Sequence, residues 1–171
     1  SAEAHELIVD HLETCRTGLE AATVLLADRH GDQLAMSGDV RDLDVSALLT
    51  VLSSSFATNQ ELAHRFGNGD GADLNYHQGS DYEFYSATMG NEGFVTMIYD
   101  RRVQPSNIGI VWLHLRRTVD RVRTVIEGES KRREILVKPA LAPSIIEETQ
   151  GDAPYHAGRA GPRQGDDRAR R

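Results

Sequence analysis

Cysteine, lysine and long apolar runs are what this 171-residue chain has least of, and each shortage narrows its chemistry. The single cysteine, Cys15, excludes an internal disulfide framework and a cysteine-built zinc cluster, and it suits a reducing compartment. Lysine occurs only at positions 131 and 138. The body of the chain therefore offers no P-loop lysine, and no GxxxxGK[ST] phosphate loop is present. The best apolar run, Ile108 to Leu115, falls far short of the ~20 residues that cross a bilayer, and no cationic start leads into an apolar stretch. The seven histidines are scattered without HExxH or other paired ligand spacing. Neither a GxSxG elbow nor a Cys-His nucleophile arrangement appears. These absences predict a soluble, cytoplasmic, non-enzymatic protein with no membrane span, catalytic residue, cofactor or metal.

Charge is uneven. From Ser1 to Gly128 there are 10 Lys+Arg against 19 Asp+Glu, and from Glu129 to Arg171 there are 9 against 7. An acidic body lacks the clustered cations that a phosphate-tracking surface needs, so no nucleic-acid partner is expected. The basic clusters at 131–133 and 168–171 read as solvated charge in a loose tail. With 39% hydrophobic content, the length supports one compact domain with appendages. The domain is placed at residues 1–128 and an extended tail at 129–171.

The stretch from Tyr76 to Glu127 carries the clearest pattern. Tyr82 to Thr88 and Phe94 to Tyr99 are rich in aromatic and β-branched residues, and Gly90, Asn91 and Gly93 supply a tight connection, which predicts an antiparallel hairpin. Leu74 and Tyr76 alternate with Asp73, Asn75 and His77 as a short preceding strand. After Pro105, the positions Ile108, Val111, Trp112, Leu115, Val119, Val122 and Ile126 recur at helical steps, with Ser106 or Asn107 as cap. Earlier, Ala2 to Thr17 reads as a first helix, stopped near Gly18. Ala22–Ala27 and Leu34–Met36 read as a hairpin whose turn centres on His30 and Gly31. Asp42 or Asp44 caps a long helix over Val45 to Phe66, with a core stripe of Val45, Leu48, Leu49, Leu52, Phe56, Leu62, Ala63 and Phe66. The predicted order is α-β-β-α-β-β-β-α, an α+β domain with a five-stranded antiparallel sheet and helices on its faces. The string GNGDG at 67–71 follows a helix and precedes a strand, the reverse of a phosphate-cradling context, and reads as a loop.

A second face of the central helix bears on function. Ser46, Thr50, Ser53, Ala57, Gln60 and His64 fall at steps of three and four, and most are small. Solvated faces usually carry Lys, Glu and Arg, whereas small uncharged side chains let another surface come close. This face is predicted to make contact; the alternative is that serines and threonines merely accumulated on an exposed helix. The short polar strand at 73–77 is a second contact candidate, because an edge presents unpaired backbone groups to a second copy.

Several stretches, in this order, resemble the Roadblock / dynein light chain 7 domain family, and most closely its bacterial MglB-like branch. They are VLLADRHGDQLAMSG in the first hairpin, LDVSALLTVLSSSFATNQELAHRFG in the central helix, HQG at 77–79, and FVTMIYDRR followed by SNIGIVWLHLRRTVDRV. The resemblance covers about Leu7 to Glu127. It implies a non-enzymatic homodimer whose sheets join through the edge strand and whose central helices lie side by side as a platform for a small Ras-like GTPase. In MglB-like members that platform accelerates GTP hydrolysis by the partner and helps set cell polarity or motility. Ser53, Ser54 and Ala57 match small positions of the family's central helix near the GTPase contact, and together with the rest of the small face, Ser46, Thr50, Gln60 and His64, they are assigned to that contact. Leu49, Phe56, Asp73, Leu74, Asn75, Tyr76, His77 and Gln78 are assigned to the dimer interface. Phe56 departs from the family, where a small residue is common.

An arginine inserted beside the transferring phosphate is one physical route to activation, and Arg65, Arg101 and Arg102 are the candidates. The resemblance points instead to indirect activation, in which the dimer repositions the partner's switch loops. Two other functional classes stay open. One is a Roadblock-type assembly or dimerisation module with no effect on hydrolysis. The other is a small-molecule sensor, for which Tyr82, Phe84, Tyr85 and Phe94 would have to line a pocket rather than a core. The tail segment from Glu134 to Glu148 holds six aliphatic residues around Pro139 and Pro143, so it reads as a fold-back or docking segment, with disorder expected after Gly151.

Overall fold

The computed structural model describes residues 1–67, 74–103 and 106–137. Eight elements follow in the predicted order: α1 (Ala2–Gly18), β1 (Thr23–Asp28), β2 (Gln33–Gly38), α2 (Val45–Phe66), β3 (Leu74–Gln78), β4 (Tyr82–Thr88), β5 (Gly93–Asp100) and α3 (Ile108–Val137). The strands form one antiparallel sheet ordered β2-β1-β5-β4-β3. Consecutive strands pair as hairpins, and the link that carries α2 takes the chain from β2 at one edge to β3 at the other.

Alternation along the inner strands splits the core into two layers, because successive side chains leave opposite faces. Leu25, Ala27, Phe94 and Ile98 rise to meet Leu49, Leu52 and Phe56 of α2. Val24, Leu26, Tyr85, Val95, Met97 and Tyr99 drop to meet Leu12 and Cys15 of α1 and Val111, Leu115, Val119 and Val122 of α3. Helices therefore cover both faces, α2 alone on one and α1 with α3 on the other. The buried Cys15 thiol has its pKa raised by burial, against a hydrogen bond with Thr118 that lowers it.

Helix ends resolve the capping alternatives. Asp44 accepts from the Ala47 N–H at 2.9 Å, and Asn107 accepts from the Ile110 N–H at 3.3 Å, so these two residues close the N-termini of α2 and α3. Ser106 instead joins the Tyr85 hydroxyl at 2.6 Å and the Glu83 carboxylate, tying the start of α3 to the sheet. After α1 the left-handed residue is Glu20, at φ 53°.

Three expectations need correction. Leu62 and Phe66 are 51% and 83% exposed and do not belong to the core stripe of α2. The helix is ~33 Å long and its covering strands ~17–26 Å, so its last turns overhang the sheet. On α3, Ile108 and Trp112 lie off the buried stripe, with the Arg116 guanidinium over the Trp112 ring at 5.2 Å, and Thr118 takes the buried place. That helix also runs through Gly128 to Val137, past the point where its apolar stripe thins. The expected short strand before the hairpin is present, described over Leu74–Gln78. Asp73, the glycine string beyond Gly67, and the tail from 138 onward, including most of its apolar segment and the stretch after 151, lie outside the described residues.

Candidate functional site

The small face of α2 is exposed or half-exposed throughout: Ser46, Thr50, Ser54, Ala57 and His64 are exposed, and Ser53 and Gln60 are intermediate. Its hydroxyls are turned inward on their own helix. Thr50 donates to the Ser46 carbonyl at 3.0 Å, Ser53 to the Thr50 carbonyl at 2.9 Å, and Ser54 to the same carbonyl at 3.1 Å. With those three donors satisfied, the middle of the face, at Thr50, Ser53, Ser54 and Ala57, presents few competing polar hydrogens. It is smooth, uncharged and closely approachable.

Beside this face sits a cleft of about 260 Å³. Ser53, Ala57 and Gln60 form one wall, and Phe56 and Phe94, with ring centroids 4.9 Å apart, form the floor. Gly90 of the β4–β5 turn closes one end, where its carbonyl accepts from the Gln60 amide at 3.1 Å. Arg29 and His30 of the β1–β2 turn stand at the mouth, the Arg29 Nε donating to His30 Nε2 at 3.0 Å.

The turn that carries Arg29 and His30 is built by Asp28 and Gly31. The Asp28 carboxylate accepts from the N–H groups of His30 (2.8 Å) and Asp32 (3.0 Å). Burial opposes its charge, but these backbone donors outweigh burial and hold its pKa below the ordinary value. Gly31 adopts φ +90°, and a Cβ there would stand 2.8 Å from the Leu49 carbonyl oxygen. Only glycine lets the turn lie so close on the backbone of α2. The sequence reading took Arg29 and His30 for turn residues; Gly31 was the signal that the turn is pressed against something.

The flank of α2 nearer the sheet edge has a different character. Val51 (67% exposed) and Leu62 share a helical face with Ser55, whose hydroxyl accepts from Asn75 of β3 at 3.4 Å. The neighbouring Asn59 donates to Asn75 Oδ1 at 2.9 Å. Val51, Leu62 and Phe66 are exposed on this same flank of α2, whose Ser55 and Asn59 reach β3, and among the described residues β3 is an edge strand paired only with β4. On that strand Leu74 and Asn75 are half-buried, and Tyr76, His77 and Gln78 are exposed. Tyr76 also leans on Tyr85, with centroids 4.8 Å apart, and donates to Glu83 at 3.2 Å. Leu49 and Phe56 do not join this flank. At 1% and 5% exposure they are core residues beneath α2, presented to Phe94 and not to a second molecule. Leu62 and Phe66 fit the apolar period of the core stripe and are nonetheless exposed, and Val51 is an exposed apolar residue outside that stripe.

The three arginines considered as inserted groups are all engaged within the chain. Arg65 pairs with Glu61, Arg101 with Glu83 and the Gly79 carbonyl, and Arg102 with Asp100 and the Tyr82 hydroxyl. Arg101 and Arg102 follow the far end of β5, ~23 Å from the cleft by strand length. Among the described residues, no group of His, Cys, Asp and Glu is placed to hold a metal ion, and no helix is long and apolar enough to cross a membrane.

No protein-family model matches the sequence, and no curated protein matches it. Solved structures do. A structure described as MglB with tetrameric arrangement superposes with TM-score 0.63 at 25% identity, over 73% of this chain and 91% of that one. The gliding protein MglB from Thermus thermophilus gives TM-score 0.63 at 24% identity, over 73% and 92%. A Roadblock/LC7 domain from Streptomyces avermitilis gives TM-score 0.58 at 12% identity, over 70% and 97%. The chain has a Roadblock-like fold close to that of MglB.

Proposed function

We propose that two copies of this chain pair into a non-enzymatic, cytoplasmic platform that binds a small Ras-like GTPase and promotes its GTP hydrolysis by repositioning the partner's switch loops. In this reading the subunits join through β3 and the Val51–Leu62–Phe66 flank of α2. Asp73, Leu74, Asn75, Tyr76, His77 and Gln78 supply the strand contact, and Leu49 and Phe56 support it only from the core. The small face with Ser46, Thr50, Ser53, Ser54, Ala57, Gln60 and His64 receives the GTPase. The process served is cell polarity or motility, in line with the gliding role in the name of the Thermus thermophilus neighbour.

One observation carries the reading: a single helix bears two unlike exposed surfaces on separate flanks. One is apolar and borders an edge strand. The other is smooth, hydroxyl-satisfied and borders an aromatic-floored cleft. A surface for self-association and a surface for a different partner are then both available at once. The engagement of Arg65, Arg101 and Arg102 in intrachain pairs supports activation through the partner's own switch loops over insertion of an arginine, and assembly without an effect on hydrolysis is the second reading.

The test is GTP hydrolysis by a Ras-like GTPase encoded beside this chain, with and without the protein, together with a pull-down of the same GTPase by the Ala57→Arg variant. Stimulation of hydrolysis supports the activator reading, and binding without stimulation supports the assembly reading. Ala57 is exposed, so the arginine leaves the fold intact while blocking the small face. Undiminished capture by the variant would remove the helix platform from the account.

A further inference from the structure

The opposite side of the molecule carries a groove with no role in the function proposed above. It has a volume of about 490 Å³ and lies between the N-terminal half of α1, the β1–β2 hairpin and the later turns of α3. Ile8, Leu26, Leu34, Val125 and Ile126 make it apolar. Leu34 remains 46% exposed at its rim, although it sits on a strand whose neighbours Ala35 and Ser37 are buried. Arg133 and His5 add positive or titratable groups at the margin, and Glu92 and Glu129 add negative ones. A half-wet aliphatic trough of this size is what a short apolar segment fills.

We propose that the trough is the docking site of this chain's own segment Lys138–Glu148. Chain length supports the assignment. From Ile126, in the groove, α3 rises eleven residues to Val137, the last described residue, or ~16 Å at helical rise. A return of the same length takes about five residues of extended chain. That places the stretch around Leu141 to Ile146 beside Ile126, with no spare linker required. The sequence also supplies the reversal: Pro139 lacks an N–H, crowds the preceding turn of a helix and disfavours helical backbone at position 138. Leu141, Ile145 and Ile146 provide aliphatic side chains for an aliphatic trough. Docking within one chain also avoids the translational cost that an external peptide meets.

The experiment compares hydrogen–deuterium exchange of the 171-residue chain with that of the same chain carrying Leu141→Ser, Ile145→Ser and Ile146→Ser. Length and charge are unchanged, and no substituted residue belongs to the described core. Docking predicts roughly tenfold faster exchange of the segments 4–12 and 125–133 in the variant, and the same acceleration in Leu34→Glu, which alters only the rim. A synthetic peptide of residues 138–148 added to the tail variant restores the slow rate. Identical exchange in the parent and the tail variant overturns the proposal. So does an acceleration confined to α2 and β3, which would assign the segment to the opposite face.

Discussion

Replacing Gly31 by alanine tests how the candidate cleft is built. At φ +90° an L-residue meets its own carbonyl, a penalty of ~1–2 kcal/mol. The new methyl would also stand 2.8 Å from the Leu49 oxygen and 3.0 Å from its carbon. Both are helix backbone, which has no rotamer to swing away, and forced overpacking of this kind costs ~1–3 kcal/mol. The sum is ~2–5 kcal/mol. Gly90 provides the control, because it too has positive φ (+67°) but has nothing within 4 Å of its virtual Cβ, so Gly90→Ala carries only the conformational part, ~1–2 kcal/mol. The difference between the two variants is then the close approach of hairpin to helix. For a domain of this size ~1 kcal/mol moves Tm by about 3–4 °C. Thermal denaturation at one fixed protein concentration should place Gly31→Ala roughly 3–10 °C below Gly90→Ala. Equal melting temperatures for the two variants would refute the seating of the β1–β2 turn on α2, and with it the placement of Arg29 and His30 at the cleft.

Other consequences are as direct. The Glu13 carboxylate is held down to a pKa of about 2, first by its hydrogen bonds to Arg16 and then by the one from Ser37, so its contribution to stability is present above its ordinary value near 4.5 and is lost as pH falls toward 2. A Glu13→Gln variant should lose less stability than the parent across that window, and parallel acid-unfolding curves would contradict the α1–β2 tie. Phe56→Ala should cost ~3–5 kcal/mol in chemical denaturation, as deletion of a buried ring does. Because burial raises the Cys15 thiol pKa, native protein at pH 8 should resist alkylation for as long as it stays folded, whereas urea-unfolded protein reacts at once. Rapid modification of the native protein would mean that α1 detaches readily from α3.

Much of this architecture was legible in the residues themselves. Strand alternation at Leu74–Tyr76, the glycines at 90 and 93, and the helical steps of Val111, Leu115, Val119 and Val122 each carry a local signal that tertiary packing then obeyed. The small face of α2 was visible for the same reason, since it needs only one helix and its period. What periodicity could not show is where a helix leaves its sheet. Leu62 and Phe66 continue the apolar step past the last residues that touch the strands, so core and contact surface look alike in the sequence. Leu49 and Phe56, expected at a dimer interface, lie buried beneath α2 against Phe94. The cleft was illegible because it joins residues some thirty apart: Arg29 and His30, Ala57, and Gly90 meet only after the β1–β2 and β4–β5 turns come together under α2.

The account stands on self-association through the β3 edge and the apolar flank of α2. Sedimentation equilibrium of the parent chain beside a Val51→Glu/Leu62→Glu variant measures it most directly. A dimer for the parent and a folded monomer for the variant, at the same high micromolar concentration, is the predicted result. A parent chain that sediments as a monomer at that concentration would contradict it.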